Sequence, residues 1–371
     1  MAFSDLQLRR LFESPFPVKQ GLMPSREPSL GEPLRFASPS YEELSPIISS
    51  TGLNVSPSGL DLTVGSHIAE ADFFMSSLGE KDFFSMNPKD IDGKKHVLLP
   101  DKNGSKIYYI LSDERLNLPL SLEYFVDARS TTGRVATMCH QVGRFSSGEV
   151  ITAVQPFKFP IEIESGKTSL SQAVIRYKGS EFLDYEGLRK GYNKDERNSS
   201  GIHFSRGETD VFMQSLRPEG LLMTFSTGLI YVAKDCNEPI NMDVVNEYDP
   251  SLYFDVIEGN GRFRIDNQTF CLAGTRETIG LENICGRISR EHYVSGSGLW
   301  SHFAGIVQAG FNGPITLECY SLGSRVIKEG EAAGLVIFDK IDGPVMESYK
   351  GSYQNQTAPR LPKMFKQFVK V

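Results

Sequence analysis

The decapeptide FVDARSTTGR, residues 125–134, sets Arg129 and Arg134 five positions apart around Ser130, Thr131, Thr132 and Gly133. Two guanidinium forks, a run of hydroxyls and a glycine that lets backbone come close make an anion cradle. The stretch holds no acid or base except Asp127, which precedes the cradle, so a reacting carboxylate has to come from elsewhere. Elsewhere in the chain Glu318 points from the middle of GPITLECY. Read as a strand, that run puts Ile315, Leu317 and Cys319 on one face and Thr316, Glu318 and Tyr320 on the other. A carboxylate enclosed on such a face has its proton affinity raised toward neutrality by desolvation and can both take and return a proton.

The six histidines (67, 96, 140, 203, 292 and 302) never fall at metal-ligand spacing, and five scattered cysteines form no CxxC. Neither a zinc knuckle nor a disulfide framework is expected, and a reducing compartment fits the cysteine usage. The chain has 371 residues and a net charge of −7, which argues against a nucleic-acid coat or an anionic-membrane binder while allowing a local basic site. No run reaches membrane-spanning length and the start carries no signal-peptide core, so a cytoplasmic protein is expected.

To position the cradle and the carboxylate the chain offers mostly strands. Short runs such as KIYYILS, AVIRYK, LLMTFSTGLIYVA and GLVIFDKI are separated by turn residues, with 34 Gly and 20 Pro in all. That pattern predicts β-barrels or sandwiches. Helices are expected only at SDLQLRRLFES, PSYEELSPIISS, EFLDYEGLRKGY and in the C-terminal tail. The pattern also recurs: 56–66 matches 249–259, 108–119 matches 269–282, and 161–177 matches 326–341. The expected layout is an extended arm (1–45), repeat one (46–180), a connecting segment (181–245), repeat two (246–345) and a closing tail (346–371). The copies keep different parts. Repeat one has the cradle, with Ala153 at the Glu position; repeat two has Glu318, with REHYVSGSGL in place of the cradle.

Four blocks carry a resemblance: PSGLDLTVG, ARSTTGR, AGIVQAGFNGPITLE and SYQNQTAP. In these the chain resembles the dCTP deaminases, the deaminating branch of the trimeric dUTPase fold, in their long tandem form. The resemblance implies an all-β protein of two tandem dUTPase-like β-barrels, jelly-roll-like, with a few short helices. It implies hydrolytic deamination of dCTP to dUTP and ammonia without zinc, feeding thymidylate synthesis, with Mg²⁺ arriving on the triphosphate. Arg129, Ser130 and Thr131 would hold the triphosphate. Arg134 would act beside the base, Ala304 would line the base site, and Glu318 would be the catalytic acid and base. Tyr353 and Gln356 would belong to a tail folding over the nucleotide. A homo-oligomer, dimer or trimer, is expected, with dTTP as a candidate inhibitor and no nucleic-acid or membrane partner.

Two departures from the family pattern stand out. Gln308-Ala309 replaces the usual Asp-Pro or Asp-Ala of the hairpin, which argues against hydrolysis on to dUMP. Ser352 replaces a basic residue before the tail tyrosine, and Lys350 is the expected substitute. The alternatives are a bifunctional enzyme giving dUMP, a plain dUTPase, or a nucleotide-binding regulator without catalysis.

Overall fold

The computed structural model describes residues 2–4, 48–49, 55–101, 106–118, 121–142, 147–179, 182–192, 201–289, 298–342, 345 and 348–367. The first lobe is built on β1 (Gly59–Ala71), β2 (Ile107–Asn117), β3 (Leu122–Ala128), β4 (Thr137–Gln141), β5 (Ser147–Pro156) and β6 (Ser169–Tyr177). The second uses β7 (Gly220–Ala233), β8 (Phe270–Leu281), β9 (Ile284–Ser289), β10 (Asn312–Ser321) and β11 (Ala332–Asp342). The plan is the same in both. β1 runs antiparallel to β6 in its first part and to β2 in its second, as β7 does to β11 and β8. β5 extends β2 and β10 extends β8; β3 extends β6 and β9 extends β11. The expected all-β tandem barrel is the fold observed.

Each long opening strand leaves one sheet for the other at a bulge, where a backbone amide needs another acceptor. A glutamate supplies it in both lobes. Glu114 Oε2 accepts from Thr63 N at 2.7 Å, and Glu277 Oε2 accepts from Thr224 N at 2.8 Å. Beside them Ser112 and Thr275 donate their hydroxyls to the carbonyls of Glu114 and Glu277, at 2.9 and 2.8 Å. An unpaired buried amide costs about 1–3 kcal/mol, which accounts for a carboxylate standing inside each barrel. Burial pushes Glu114 up to about 7.

This shared device fixes the alignment of the repeats and corrects the expected one. Thr63 corresponds to Thr224, so 56–66 corresponds to 217–227 and not to 249–259. A Cβ on Gly59 would meet the Ala173 carbonyl, and one on Gly220 would meet Val336, which occupies the same place in β11. Residues 249–259 instead form a 3-10 turn, Pro250–Leu252, and an edge strand, Phe254–Ile257, paired with Ile230–Ala233. Pro-Ser and Gly turns open strands anywhere in a β-protein, so letter similarity there misled. The segment expected to connect the repeats therefore lies largely in the second barrel: Ile202–Arg206 pairs with β8, and β7 is that barrel's opening strand.

One helix, Tyr185–Gly191, falls where EFLDYEGLRKGY predicts it. The expected helix at the start lies outside the described residues, as does most of the expected 39–50 helix, whose end Ile48–Ser49 is a strand on β2. The described tail, 348–367, carries turns and a bridge to Tyr248 in place of a helix. Of the expected N-terminal arm, Ala2 lies in the sheet between Arg176 of β6 and Ile341 of β11. The lobes share one core: Val135, Met138 and Phe159 pack in a single cluster with Phe303, Tyr320 and the tail residues Leu361 and Phe365. Trp300 sits at that seam, edge-on to Phe157 at 5.5 Å.

Candidate active site

The cradle folds as one helical turn. β3 ends at Ala128, Arg129 follows in extended conformation, and α1 (Ser130–Gly133) comes next, closed by Gly133 N to Arg129 O at 3.0 Å and Arg134 N to Ser130 O at 3.1 Å. The i, i+3 spacing sets Thr131 and Arg134 side by side on the turn. Arg129 Nη2 lies 3.2 Å from Asp61 Oδ2 on β1. Asp61 is buried, and desolvation raises its proton affinity against the opposing charges of Arg129 and Lys363. Neither cradle arginine takes its nearest acidic neighbour in sequence: Glu123 is bonded by Arg176 at 2.8 Å, and Asp127 Oδ2 accepts from Gly305 N at 3.0 Å.

Glu318 comes to this cradle from the other lobe of the same chain. A Cβ on Gly133 would stand 2.8 Å from Ala304 Cβ and 3.0 Å from the Glu318 carboxyl carbon, so the two lobes touch through the missing side chain. The β10 alternation places Ile315, Leu317 and Cys319 in the second barrel's core and leaves Glu318 facing α1, enclosed by the first lobe. Glu318 is buried. Its Oε2 accepts from the amides of Phe303 (3.0 Å) and Ala304 (3.1 Å), while Oε1 makes no hydrogen bond among the described residues. Desolvation pushes the carboxyl up to about 7, against the pull of the Arg134 charge and of those two amides.

The tail closes the third side. Tyr353 is buried, its hydroxyl 3.0 Å from Thr131 Oγ1, and the Arg134 guanidinium lies over its ring at 3.6 Å. Arg134 Nη1 donates to Arg360 O at 2.6 Å. Burial lowers the proton affinity of Arg134, with Tyr353 and Glu318 offsetting part of that cost. Gln356 is buried beside β10, its amide donating to Pro314 O and, at 3.2 Å, to Thr316 Oγ1. The structure therefore brings together Arg129, Ser130, Thr131, Arg134, Ala304, Glu318 and Tyr353, with Gln356 anchoring the tail beside them. Among the described residues no three His, Cys, Asp or Glu side chains gather in a way that could hold a metal ion.

Set against known proteins, residues 210–341 match the model of a family described as dCTP deaminase-like. A protein of Persephonella marina named "dCTP deaminase, dUMP-forming" is 31% identical over 133 residues, an overlap of 34% of this chain and 74% of that one. The chain belongs to the dCTP deaminase family. A relative from Aquifex aeolicus with the same name is 32% identical over 104 residues, covering 27% of this chain and 58% of that one. An Aeropyrum pernix protein named "dCTP deaminase" is 38% identical over 63 residues, 17% of this chain and 35% of that one. The crystal structure of the 2'-deoxycytidine 5'-triphosphate deaminase from Agrobacterium tumefaciens shares the fold, with TM-score 0.68 and 18% identity over 81% of this chain and 94% of that one. The family match begins at 210, upstream of β7, in keeping with where the second barrel starts.

Two residues beside the cradle, Asp61 and Lys363, were not singled out in the sequence. Asp61 lies on a strand remote from the cradle motif, and nothing local marks it. Lys350 is exposed, whereas Lys363 sits close enough to Arg129, Asp61 and Asp243 for their charges to shift it, with burial and Arg129 lowering its proton affinity. Gln308, the departure in the hairpin, is tied across the lobes: its Oε1 accepts from Ser58 N at 3.0 Å and its amide donates to Gln172 Oε1 at 2.6 Å.

Proposed function

We propose that this chain deaminates dCTP hydrolytically to dUTP and ammonia, with Glu318 as the acid and base. The observation that carries the reading is the burial of Glu318 directly against α1, a carboxyl near neutrality under the charge of Arg134. At about 7 it exists in both protonation states under neutral conditions, which is what a group that must take and return a proton requires.

In the proposed step the water oxygen bonds to C4 of cytosine as Glu318 takes the water's proton. Glu318 delivers that proton to ring N3. A second transfer, from the added hydroxyl through Glu318 to the amine, breaks the C4–N4 bond, and ammonia leaves. The amides of Phe303 and Ala304 hold Oε2 and leave Oε1 to meet the water. Arg134 lies where it can orient the base and balance charge at the ring. Ala304 walls the base site. Arg129, Ser130 and Thr131 hold the triphosphate, with Mg²⁺ arriving as part of that substrate, and Tyr353 and Gln356 close the tail over it. Positioned acid–base catalysis of this kind supplies roughly 10²–10⁴ in rate.

A second reading, hydrolysis on to dUMP, is favoured by the names of the Persephonella and Aquifex relatives. Against it stands Gln308, whose amide is committed at both ends to Ser58 and Gln172 and is no carboxylate to activate a phosphate-directed water. We place the protein in the cytoplasm as a homo-oligomer. The test is ammonia release from dCTP with Mg²⁺, the product resolved by chromatography, for wild type and Glu318→Gln. Turnover to dUTP that vanishes in a variant still binding dCTP supports the reading. A dUMP product selects the second, and tight nucleotide binding without turnover makes the protein a nucleotide-binding regulator.

A further inference from the structure

The repeats meet around a local two-fold axis, and that axis runs through a cavity. With Thr63 equivalent to Thr224, the registers make Ser169 equivalent to Ala332 and Arg176 to Asp339. They pair with Glu123 and Cys285 on β3 and β9, which makes Phe125 equivalent to Arg287. Equivalent residues touch each other across the seam: Arg176 Nη1 lies 3.5 Å from Asp339 Oδ1, and the Arg287 guanidinium lies 4.9 Å from the Phe125 ring centre. A residue contacts its own counterpart only near the axis relating the two copies. The cavity there has a volume of about 340 Å³, and its wall is made of the same positions from both lobes: Asp127 with Ser289, and His140 with His302, joined by Arg287.

This wall is polar, and its cation is fixed in place. Phe125 and Phe182 hold the Arg287 guanidinium, with ring centres at 4.9 and 4.6 Å. Among the described residues the guanidinium makes no hydrogen bond and no ion pair within 4 Å. A half-buried arginine ordered by aromatic packing presents donors in the fork geometry that suits a tetrahedral oxyanion. The nearest carboxylate on the wall is already used, since Asp127 accepts from Gly305 N at 3.0 Å and from Ala128 N at 2.8 Å. His140, His302 and Ser289 add imidazole and hydroxyl groups around the same space, whose size is at the lower end of small-molecule sites.

We infer that the cavity on the inter-lobe axis is a second anion site, taking a phosphate or a phosphate ester on Arg287, Ser289 and the two histidines. It is separate from the Arg129 cradle and bears on the catalytic carboxyl from behind. Phe303 lines the cavity and its amide holds Glu318; Asp127 lines it and holds the amide of Gly305. An anion seated there acts on the segment that fixes Glu318 without touching the nucleotide.

The test is calorimetric titration of the full chain with inorganic phosphate, pyrophosphate and dUMP. It reads binding rather than turnover, so it stands apart from the deamination reading. In Arg129→Gln, which disables the cradle, one equivalent of at least one of these ligands still binds. Adding Arg287→Gln or Ser289→Asp weakens that binding tenfold or more. Ser289→Asp keeps the test open if loss of the stacked arginine unfolds the protein, because it places a carboxylate at a half-exposed wall position. Binding of the free oxyanions identifies inorganic phosphate as the class; binding confined to dUMP identifies a phosphate ester. Loss of all binding in Arg129→Gln alone, or residual binding indifferent to both wall variants, overturns the inference.

Discussion

Gly133 and Glu318 face each other across the lobe boundary so closely that a Cβ on the glycine would stand 3.0 Å from the carboxyl carbon. The cradle and the carboxyl belong to different copies of one repeat, and this contact is what brings them together. Gly133→Ala has to push α1 away from Ala304 and Glu318. Overpacking of this kind costs about 1–3 kcal/mol, and a displacement near 1 Å at a reacting group costs about 10² in rate. The expected result is a folded protein with a lowered thermal midpoint and roughly a hundredfold lower kcat on dCTP. A variant that turns over like wild type would show that the two residues do not share a site.

The Glu318 carboxyl, raised to about 7 by burial, sets a pH dependence. Attack by water needs the ionised form, so kcat/KM should fall as pH drops through about 7, far above the ordinary carboxylate value. The stability effect has the opposite sense. Between 4.5 and about 7 the folded protein keeps a proton that the unfolded chain has released, so this group's contribution to stability is present below 4.5 and is lost as pH rises through about 7. Glu318→Gln should therefore flatten the decline of the thermal midpoint over that window. An activity profile without an acidic limb near neutrality would count against Glu318 as base.

Tyr353 holds the cradle from the tail by two contacts of different kinds. Tyr353→Phe removes the hydroxyl 3.0 Å from Thr131 and leaves the ring under Arg134. One hydrogen bond contributes about 0.5–1.5 kcal/mol, so kcat/KM should fall several-fold. Tyr353→Leu also removes the cation–π contact, which contributes up to about 2 kcal/mol when desolvated, and the loss should exceed tenfold. Steady-state kinetics on dCTP separates the two. Equal losses would mean that the ring contact does nothing.

Gln308 is predicted to matter for cohesion of the lobes. Gln308→Leu strands Ser58 N and Gln172 Oε1 in a buried seam, at about 1–3 kcal/mol for each unpaired group. A fall of several degrees in the thermal midpoint is expected in scanning calorimetry. Gln308→Asp keeps an acceptor for Ser58 but loses the donor to Gln172, and should fall between wild type and Gln308→Leu. If Gln308→Leu melts with wild type, the network is incidental.

What the sequence determined by itself was local. The alternation in GPITLECY settled which face Glu318 occupies, because strand geometry repeats every two residues whatever surrounds it. The short apolar runs settled an all-β chain, and ARSTTGR announced an arginine cradle through residue types alone. The placement of the repeats was misread: 249–259 looked like 56–66 because turn residues recur wherever strands begin, while the true partner, 217–227, shares Pro57/Pro218, Gly59/Gly220, Leu60/Leu221 and Thr63/Thr224 as well as backbone contacts, a match too short to stand out until the registers fix it. Only the tertiary structure decided that α1 and Glu318 meet within one chain, that Lys363 rather than Lys350 stands near Arg129, and that Gln308 ties the lobes together. Each of these joins residues far apart in the chain through shape and charge, and such contacts leave no mark on the spacing of neighbouring residues. The cavity on the inter-lobe axis is of the same kind, since an axis belongs to two packed copies and to neither copy alone.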